Sequence, residues 1–189
     1  MKTVSLSGSL RENVGKKDAK ALRNAGKVPC VIYGGKEQIH FAADATSFKP
    51  ILYTPSTYLI NVIVDGKEYM TVLQDIQAHP VTDSILHVDF LELDPAKPVS
   101  IHVPIKVTGV SPGVLKGGKL IKKFRKLKVK ALMQNLPDEV EVSITDLDLN
   151  QAIKVGDLKF ENVEFLDNKG AVIVAVQTTR NVEQAVPGK

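Results

Sequence analysis

The strongest constraint on the fold is a pair of β-rich runs joined by one tight turn. In residues 56–76, STYLINVIVDGKEYMTVLQDI, β-branched and aromatic residues flank the dipeptide Asp65-Gly66. This dipeptide tolerates the positive φ angles of a type I′ turn, so the segment predicts an antiparallel hairpin. Residues 3–10 alternate between apolar residues and serine or glycine, with the period of a half-buried strand. The chain is therefore predicted to be mainly β.

Two short helices interrupt this pattern in the first third of the chain. KKDAKALRNAG, residues 16–26, carries a narrow apolar stripe and ends at a glycine, which predicts a short basic helix. DATSFKPIL, residues 44–52, predicts a second helix with Asp44 as its N-cap. Between them, VPCVIYGG at residues 28–35 predicts a strand that ends in a glycine turn.

A proline-containing segment, DPAKPVS at residues 94–100, divides the chain. We predict a first domain over residues 1–94, a linker over 95–99 and a second domain over 100–189. The second domain is predicted to be β-rich, with short strands near 139–144 and 171–178, little helix, and a disordered tail from about residue 181.

Positive and negative side chains are segregated along the chain. Residues 1–36 carry eight Lys/Arg and two Asp/Glu, whereas residues 37–100 carry three and nine. The pattern repeats, because residues 101–130 carry nine basic and no acidic side chains and residues 131–189 carry five and ten. Each half is thus electrically polarised, which favours basic segments that face a polyanion.

Bulk composition excludes several classes of protein. With 43% hydrophobic and 24% charged residues and no apolar run near eighteen residues, the chain is predicted to be soluble rather than membrane-spanning. The opening residues lack the apolar core of a signal peptide. The single cysteine, Cys30, has no intrachain partner, which favours a reducing cytoplasmic location. No known catalytic or phosphate-loop motif is found.

The residues best suited to bind a ligand are cations near the start and polar groups on later strands. Five cations could neutralise phosphates: Arg11, Lys16, Lys17, Lys20 and Arg23. ILHVDFLEL, residues 85–93, alternates so that the apolar residues share one strand face and His87 and Asp89 share the other. Hydrogen bonds to RNA suit these two residues and the nearby Gln74, Gln77 and His79, while Tyr33 could stack or donate.

Two alternatives to an RNA-binding protein follow from the same residues. His79, His87 and Asp89 could form a metal site or serve a small hydrolase, although the sequence places neither a nucleophile nor a third ligand beside the His87–Asp89 pair. The acidic segments could instead be the partner surface of a stress-related protein-interaction factor. Gln74 and Gln77 are three apart, so both can reach one ligand only if the strand is bulged or bent.

Three segments resemble one known family, the bacterial large-subunit ribosomal protein numbered twenty-five, in its long two-domain form called general stress protein Ctc. RENVGKKDAKALRNAGKVPCVIYGG is similar to the family's N-terminal pattern, and VLQDIQAHPVTDSILHVDFLEL is similar to its second signature. The stretch from GVLKGGKL through FRKLKVKAL to LPDEVEVSITDL resembles the added domain of the long form. The resemblance covers nearly all of the chain.

This resemblance implies a six-stranded N-terminal β-barrel that binds 5S ribosomal RNA around internal loop E, in the central protuberance of the large subunit. It implies contacts with neighbouring rRNA and ribosomal proteins by a β-rich second domain, with no enzymatic activity, cofactor, metal, membrane or small-molecule substrate. The contacts carried over by motif position are Arg11, Lys16, Lys20, Arg23, Tyr33, Gln74, Gln77, His79, His87 and Asp89. Lys20 stands where relatives carry arginine, and lysine cannot bind phosphate through two parallel hydrogen bonds.

Overall fold

The computed structural model describes residues 2–52, 54, 56–160 and 162–179 of the chain. Two compact units divide between Ile101 and His102, and Leu132–Gln134 belong to the first. We call them unit 1 and unit 2. The disordered tail predicted from about residue 181 lies outside the described residues.

Six strands form a closed barrel in unit 1. They are β1 (Lys2–Leu10), β2 (Lys27–Tyr33), β3 (Ile39–Asp44), β4 (Tyr58–Val64), β5 (Lys67–Ala78) and β6 (Ile85–Glu92). The strands are hydrogen-bonded in the order β1-β3-β2-β6-β5-β4, and the parallel pairing of β1 with β4 closes the barrel. Closure pairs every strand on both sides, so the barrel has no open edge. The predicted six-stranded barrel is confirmed.

The hairpin predicted at Asp65-Gly66 joins β4 to β5. Its two turn residues have φ angles of 48° and 80°, both in the left-handed region that a type I′ turn requires. Val64 lies opposite Lys67, so the loop contains only these two residues.

Helical structure in unit 1 differs in one respect from the prediction. Helix α1 (Lys16–Asn24) forms as expected and packs on β2. The second predicted helix is a 3₁₀ turn over Ala45–Phe48 followed by α2 (Lys49–Leu52). Asp44 stands at the N-cap position but its side chain makes no capping hydrogen bond, so the predicted cap is wrong. Asp44 is still the last residue of β3, and its backbone conformation is fixed by the ladder opposite Lys27.

Three phenylalanines fill the centre of the barrel. Phe41, Phe48 and Phe90 are fully buried, and the ring centroids of Phe41 and Phe90 lie 5.7 Å apart. Gly8 of β1 allows this packing, since a Cβ there would lie 2.5 Å from a ring carbon of Phe41. The β6 residue Phe90 thus anchors the strand whose outward residues are His87 and Asp89.

Unit 2 is built from short strands in two sheets. The strands are β7 (Val99–Thr108), β8 (Lys119–Lys122), β9 (Lys126–Ala131), β10 (Val140–Ser143), β11 (Ala152–Lys154), β12 (Glu164–Phe165) and β13 (Val172–Gln177). One sheet has the order β10-β7-β9-β12 and the other β11-β13-β8. Helical segments of unit 2 are short, namely α3 (Pro112–Leu115) and a 3₁₀ turn at Val155–Asp157, and a further 3₁₀ turn, Met133–Asn135, spans the unit boundary after Gln134. The predicted β-rich second part is confirmed, and β10 and β13 match the two predicted strands.

Candidate nucleic-acid interface

Five polar side chains lie on the outer face of three adjacent barrel strands. On β6, Val88 and Phe90 point into the barrel and are fully buried, so alternation turns His87 and Asp89 outward. On β5, Gln77 lies directly opposite His87, and Asp75 directly opposite Asp89. On β2, Cys30 and Ile32 are buried inside, which turns Tyr33 outward beside β6. We call these residues the polar face: Tyr33, Asp75, Gln77, His87 and Asp89.

A β-bulge in β5 shapes this face. Leu73 lies opposite Phe90 and Asp75 opposite Asp89, so Gln74 is an extra residue without a partner position. The bulge breaks the alternation that would otherwise hold Gln74 and Gln77 on opposite sides, as the sequence required if both are to contact one ligand. Gln74 Oε1 is buried and, among the described residues, has no hydrogen-bond partner. An unsatisfied buried acceptor of this kind is costly unless a ligand or water supplies a donor.

His87 and Asp89 form a short hydrogen bond. Their Nδ1 and Oδ1 atoms are 2.6 Å apart, and the two side chains are 30% and 28% exposed. Because an ionised carboxylate only accepts, His87 Nδ1–H is the donor, and the Nε2 of a neutral ring is then an acceptor. The pair therefore presents Nε2 and the second carboxylate oxygen to a ligand, both held in place before binding.

The opposite tautomer is fixed at His79, which follows β5. Its Nδ1 accepts hydrogen bonds from the backbone N–H groups of Val81 and Thr82, each at 3.3 Å. An accepting Nδ1 requires that a neutral ring carries its proton on Nε2. His79 therefore offers a donor where His87 offers an acceptor.

Tyr33 is held as a neutral phenol. Its pKa is raised above the ordinary value first by burial and then by the negative charges of Asp89 and Asp75. That the charges of both aspartates act on this ring agrees with their place on one face. The hydroxyl can donate or accept a hydrogen bond at neutral pH.

The predicted cations of α1 are exposed beside the polar face. Lys16, Lys17 and Lys20 are exposed, as phosphate contacts must be. Arg23 has a structural contact as well, because its Nε donates to the backbone oxygen of Leu86 on β6 at 3.2 Å. This bond ties α1 to the strand that carries His87.

Arg11 is held by a carboxylate and not free. Its Nε and Nη2 donate to Asp18 Oδ2 at 3.1 and 2.6 Å, and Nη2 also donates to the Asn13 carbonyl at 3.4 Å. The Arg11 side chain is only 8% exposed. Arg11 thus joins the end of β1 to the first turn of α1, and it fixes the loop that leads into the cationic helix.

Sequence reasoning missed Asp75 and Asp18. Asp75 had a readable signal, because it stands two residues before Gln77 on a predicted strand and must share its face. Asp18 had none, since its partner Arg11 is seven residues away across a loop and only the folded chain brings them together.

Comparisons with known proteins assign both parts of the chain to ribosomal protein families. Residues 6–90 match the model described as the Ribosomal L25p family, and residues 98–180 match that of the ribosomal protein TL5 C-terminal domain. The large ribosomal subunit protein bL25 of Porphyromonas gingivalis is 42% identical over 191 positions, covering 100% of both chains. That of Bacteroides fragilis is 41% identical over 185 positions, covering 95% of this chain and 94% of the relative. The chain belongs to the ribosomal L25p family.

Within this family the chain has the long, two-domain form, since both models match it in order. Its relatives carry the names of ribosomal proteins, a structural class and not an enzymatic one, which removes the hydrolase alternative. Among the described residues no group of three or more His, Cys, Asp or Glu side chains could hold a metal ion. In the same part of the chain, no helix is long and apolar enough to cross a membrane.

Proposed function

We propose that this chain is a structural constituent of the large ribosomal subunit that binds 5S rRNA around internal loop E, in the central protuberance. The relatives are named large ribosomal subunit proteins, which supports the assignment to that subunit. The single observation that carries RNA binding is the His87–Asp89 pair, half-buried and pre-oriented beside a cationic helix. Folded RNA supplies both kinds of partner that this arrangement needs, namely hydrogen-bond donors and phosphates.

The charges on the polar face favour bases and riboses over phosphates. Asp75 and Asp89 lie directly opposite each other, so two carboxylates occupy one small area. Carboxylates repel phosphate oxygens but accept hydrogen bonds from amino groups on base edges and from 2′-hydroxyls. Contacts of that kind carry sequence and shape information, whereas phosphate contacts set position.

The proposed RNA-binding residues fall into two groups, those that contact phosphates and those that make selective contacts. Lys16, Lys17 and Lys20 neutralise phosphates, and Arg11 and Arg23 also position α1 by their intramolecular hydrogen bonds. The remaining proposed contacts supply selective hydrogen bonds or stacking: Tyr33, Gln74, Gln77, His79, His87 and Asp89. The neighbours of the chain on the ribosome would be large-subunit rRNA and other ribosomal proteins.

A ribosomal protein acts in the cytoplasm on the ribosome, and fractionation tests this directly. If the chain functions on the large subunit, it sediments with large subunits at moderate salt. A stress-related factor that acts elsewhere stays in the supernatant, and that result would overturn the proposal.

The binding site is tested with purified full-length protein and two RNAs, 5S rRNA with and without loop E. His87→Ala and Asp89→Ala should each weaken binding to the intact RNA by about 1 to 3 kcal/mol, because each removes one partner of a hydrogen-bonded contact. Filter binding or gel shift at fixed salt measures the change. His102→Ala, a change of an exposed histidine in unit 2, is the matched control and should bind as the unchanged protein does.

Two outcomes would contradict this site. Unchanged affinity in both variants would remove His87 and Asp89 from the interface. Equal affinity for the two RNAs would mean that loop E is not the target, even if RNA binding itself remains.

A further inference from the structure

The most basic segment of the chain lies in unit 2 and has no role in the site described above. Residues 119–130, KLIKKFRKLKVK, contain seven Lys/Arg and no Asp/Glu. The segment forms β8, a turn and β9. Such a density of like charge needs an explanation, because like charges on adjacent positions repel and favour unfolding.

Alternation on β9 sorts its residues into two faces. Leu127 and Val129 are fully buried in the core of unit 2, so Lys126, Lys128 and Lys130 lie on the opposite face. We call these three residues the lysine row. Residues two apart on a strand are about 6.6 Å apart, so the row presents three cations at a regular spacing.

Protection of a sheet edge does not account for the lysine row. Exposed lysines are common on edge strands, where they prevent edge-to-edge aggregation. However, β9 is an inner strand of its sheet, between β7 and β12, and β12 pairs with it at Val129 and Lys130, so the edge explanation does not extend to the whole row. The edge explanation suits Lys119 and Lys122 of β8, which does lie at an edge.

Internal neutralisation does not account for the row either. Elsewhere in unit 2, Lys106 Nζ lies 3.0 Å from Glu139 and 3.5 Å from Glu141, and Lys116 Nζ lies 2.7 Å from Asp148. None of the described carboxylates forms an ion pair of this kind with the lysine row.

Two acidic side chains do lie close to the row and must be considered. Glu164 is the cross-strand neighbour of Lys130, so it tempers that end. The carboxylate of Asp167 accepts the backbone N–H of Lys128 at 2.7 Å, so its negative charge lies near the middle of the row. Lys126 and the turn residues Lys123 and Arg125 form no ion pair with any described carboxylate, and neither acidic neighbour lies opposite them.

We propose that unit 2 carries a second RNA-binding surface, formed by the lysine row with Lys123 and Arg125, that takes the phosphate backbone of rRNA. Its charged groups are ammonium and guanidinium groups, and none of them is ion-paired within the described part of the chain, so the surface neutralises phosphates and does not select a base sequence. It is independent of the 5S site proposed for unit 1.

The test uses full-length protein and a 20-base-pair RNA duplex unrelated in sequence to 5S rRNA. The logarithm of the observed association constant is measured against the logarithm of salt concentration. The triple variant Lys126→Gln/Lys128→Gln/Lys130→Gln should reduce the slope by about 2 to 3, because each phosphate neutralised by a lysine contributes about 0.7 to 0.9.

A matched control removes the same charge from the same unit. Lys106→Gln/Lys116→Gln/Lys154→Gln changes three exposed lysines outside the row and should leave the slope nearly unchanged. Thermal unfolding is measured to check that both triple variants are folded. Lys16→Gln/Lys17→Gln/Lys20→Gln, introduced into each background, removes the contribution of unit 1 and isolates the effect of unit 2.

The results separate this proposal from the one for unit 1. A lower slope only in the lysine-row variant, with loop E-dependent 5S binding retained, supports a second surface. Equal slope changes in the lysine-row variant and its control would mean that only net charge matters, and that result would overturn the proposal. An unchanged slope in the lysine-row variant would also overturn it and would point to an acidic protein as the partner.

Discussion

The two proposed RNA-binding surfaces, the polar face of unit 1 and the lysine row of unit 2, differ in their chemistry. In unit 1, acceptors dominate the strand face, His87 and Asp89 are joined at 2.6 Å, and the cations lie beside it on α1. In unit 2 the strand face itself carries the cations, and none of the described carboxylates forms an ion pair with them. Hydrogen-bonded, half-buried groups can discriminate between ligands, whereas free ammonium groups respond mainly to charge. Unit 1 is therefore suited to selectivity and unit 2 to affinity.

The difference extends to how each surface is held. Within the polar face, a hydrogen bond fixes His87 and Asp89 to each other before any RNA arrives, and the strand register places Asp75 and Gln77 opposite them. Pre-orientation lowers the conformational entropy lost on binding. In the described part of the chain, no hydrogen bond or ion pair holds the side chains of the lysine row, so we expect them to adapt to phosphates in several positions. A change that disturbs the framework should thus harm unit 1 more than unit 2.

The largest expected effect is a loss of stability in unit 1 alone, which tests whether the two surfaces are independent. Phe90→Ala removes a fully buried ring from the strand that carries His87 and Asp89, and should destabilise unit 1 by about 3 to 5 kcal/mol. Chemical denaturation measures the loss. If the surfaces are independent, 5S binding falls while salt-dependent binding to an unrelated RNA duplex remains.

Leu127→Ala is the corresponding experiment in unit 2, because it removes a buried side chain from that unit alone. Leu127 is fully buried beneath the lysine row, and its truncation should cost about 2 to 5 kcal/mol there. Duplex binding should fall and 5S binding remain. Loss of both activities in either variant would show that the two units depend on each other for folding.

Local signals in the sequence were sufficient for much of unit 1. The Asp65-Gly66 turn follows from the backbone preferences of two residues, and the outward direction of His87 and Asp89 follows from the period of one strand. Even the bulge at Gln74 could be anticipated as a condition for Gln74 and Gln77 to act together. These features depend on near neighbours in the chain.

The remainder depends on contacts that sequence spacing cannot supply. Asp75 and Asp89 come together through the β5–β6 register, and Arg11 donates hydrogen bonds to Asp18 across a loop. Asp44 looked like a cap, yet the strand that it ends determined its conformation. In unit 2 the basic segment was visible in the sequence, but only the structure shows that Lys106 and Lys116 are ion-paired while no described carboxylate pairs with the lysine row.

A smaller change in affinity tests whether the polar face binds RNA by accepting hydrogen bonds. Asp75→Asn removes one negative charge, so general electrostatics predicts tighter binding to RNA. If Asp75 accepts from RNA donors, binding to 5S rRNA should instead weaken by about 1 to 3 kcal/mol, because hydrogen bonds to a charged group are the stronger kind. Gel shift at two salt concentrations measures this.

Asp65→Asn is the control for that change. Asp65 is exposed in the β4–β5 turn with a φ of 48°, a conformation that asparagine also adopts. The control should bind 5S rRNA as well as the unchanged protein or slightly more tightly. Tighter binding by both variants would mean that Asp75 acts only as an unfavourable charge.

The smallest expected effect concerns Asp18, which acts through Arg11. Asp18→Asn also removes a negative charge near the cationic helix, yet it frees Arg11 and loosens the loop between β1 and α1. We expect 5S binding to weaken by about 0.5 to 1 kcal/mol, the scale of a partly exposed ion pair. Glu12→Gln, an exposed change in the same loop, should bind equally well or more tightly. Were Asp18→Asn to bind more tightly as well, Arg11 would be better described as a phosphate ligand that Asp18 restrains than as a residue that positions α1.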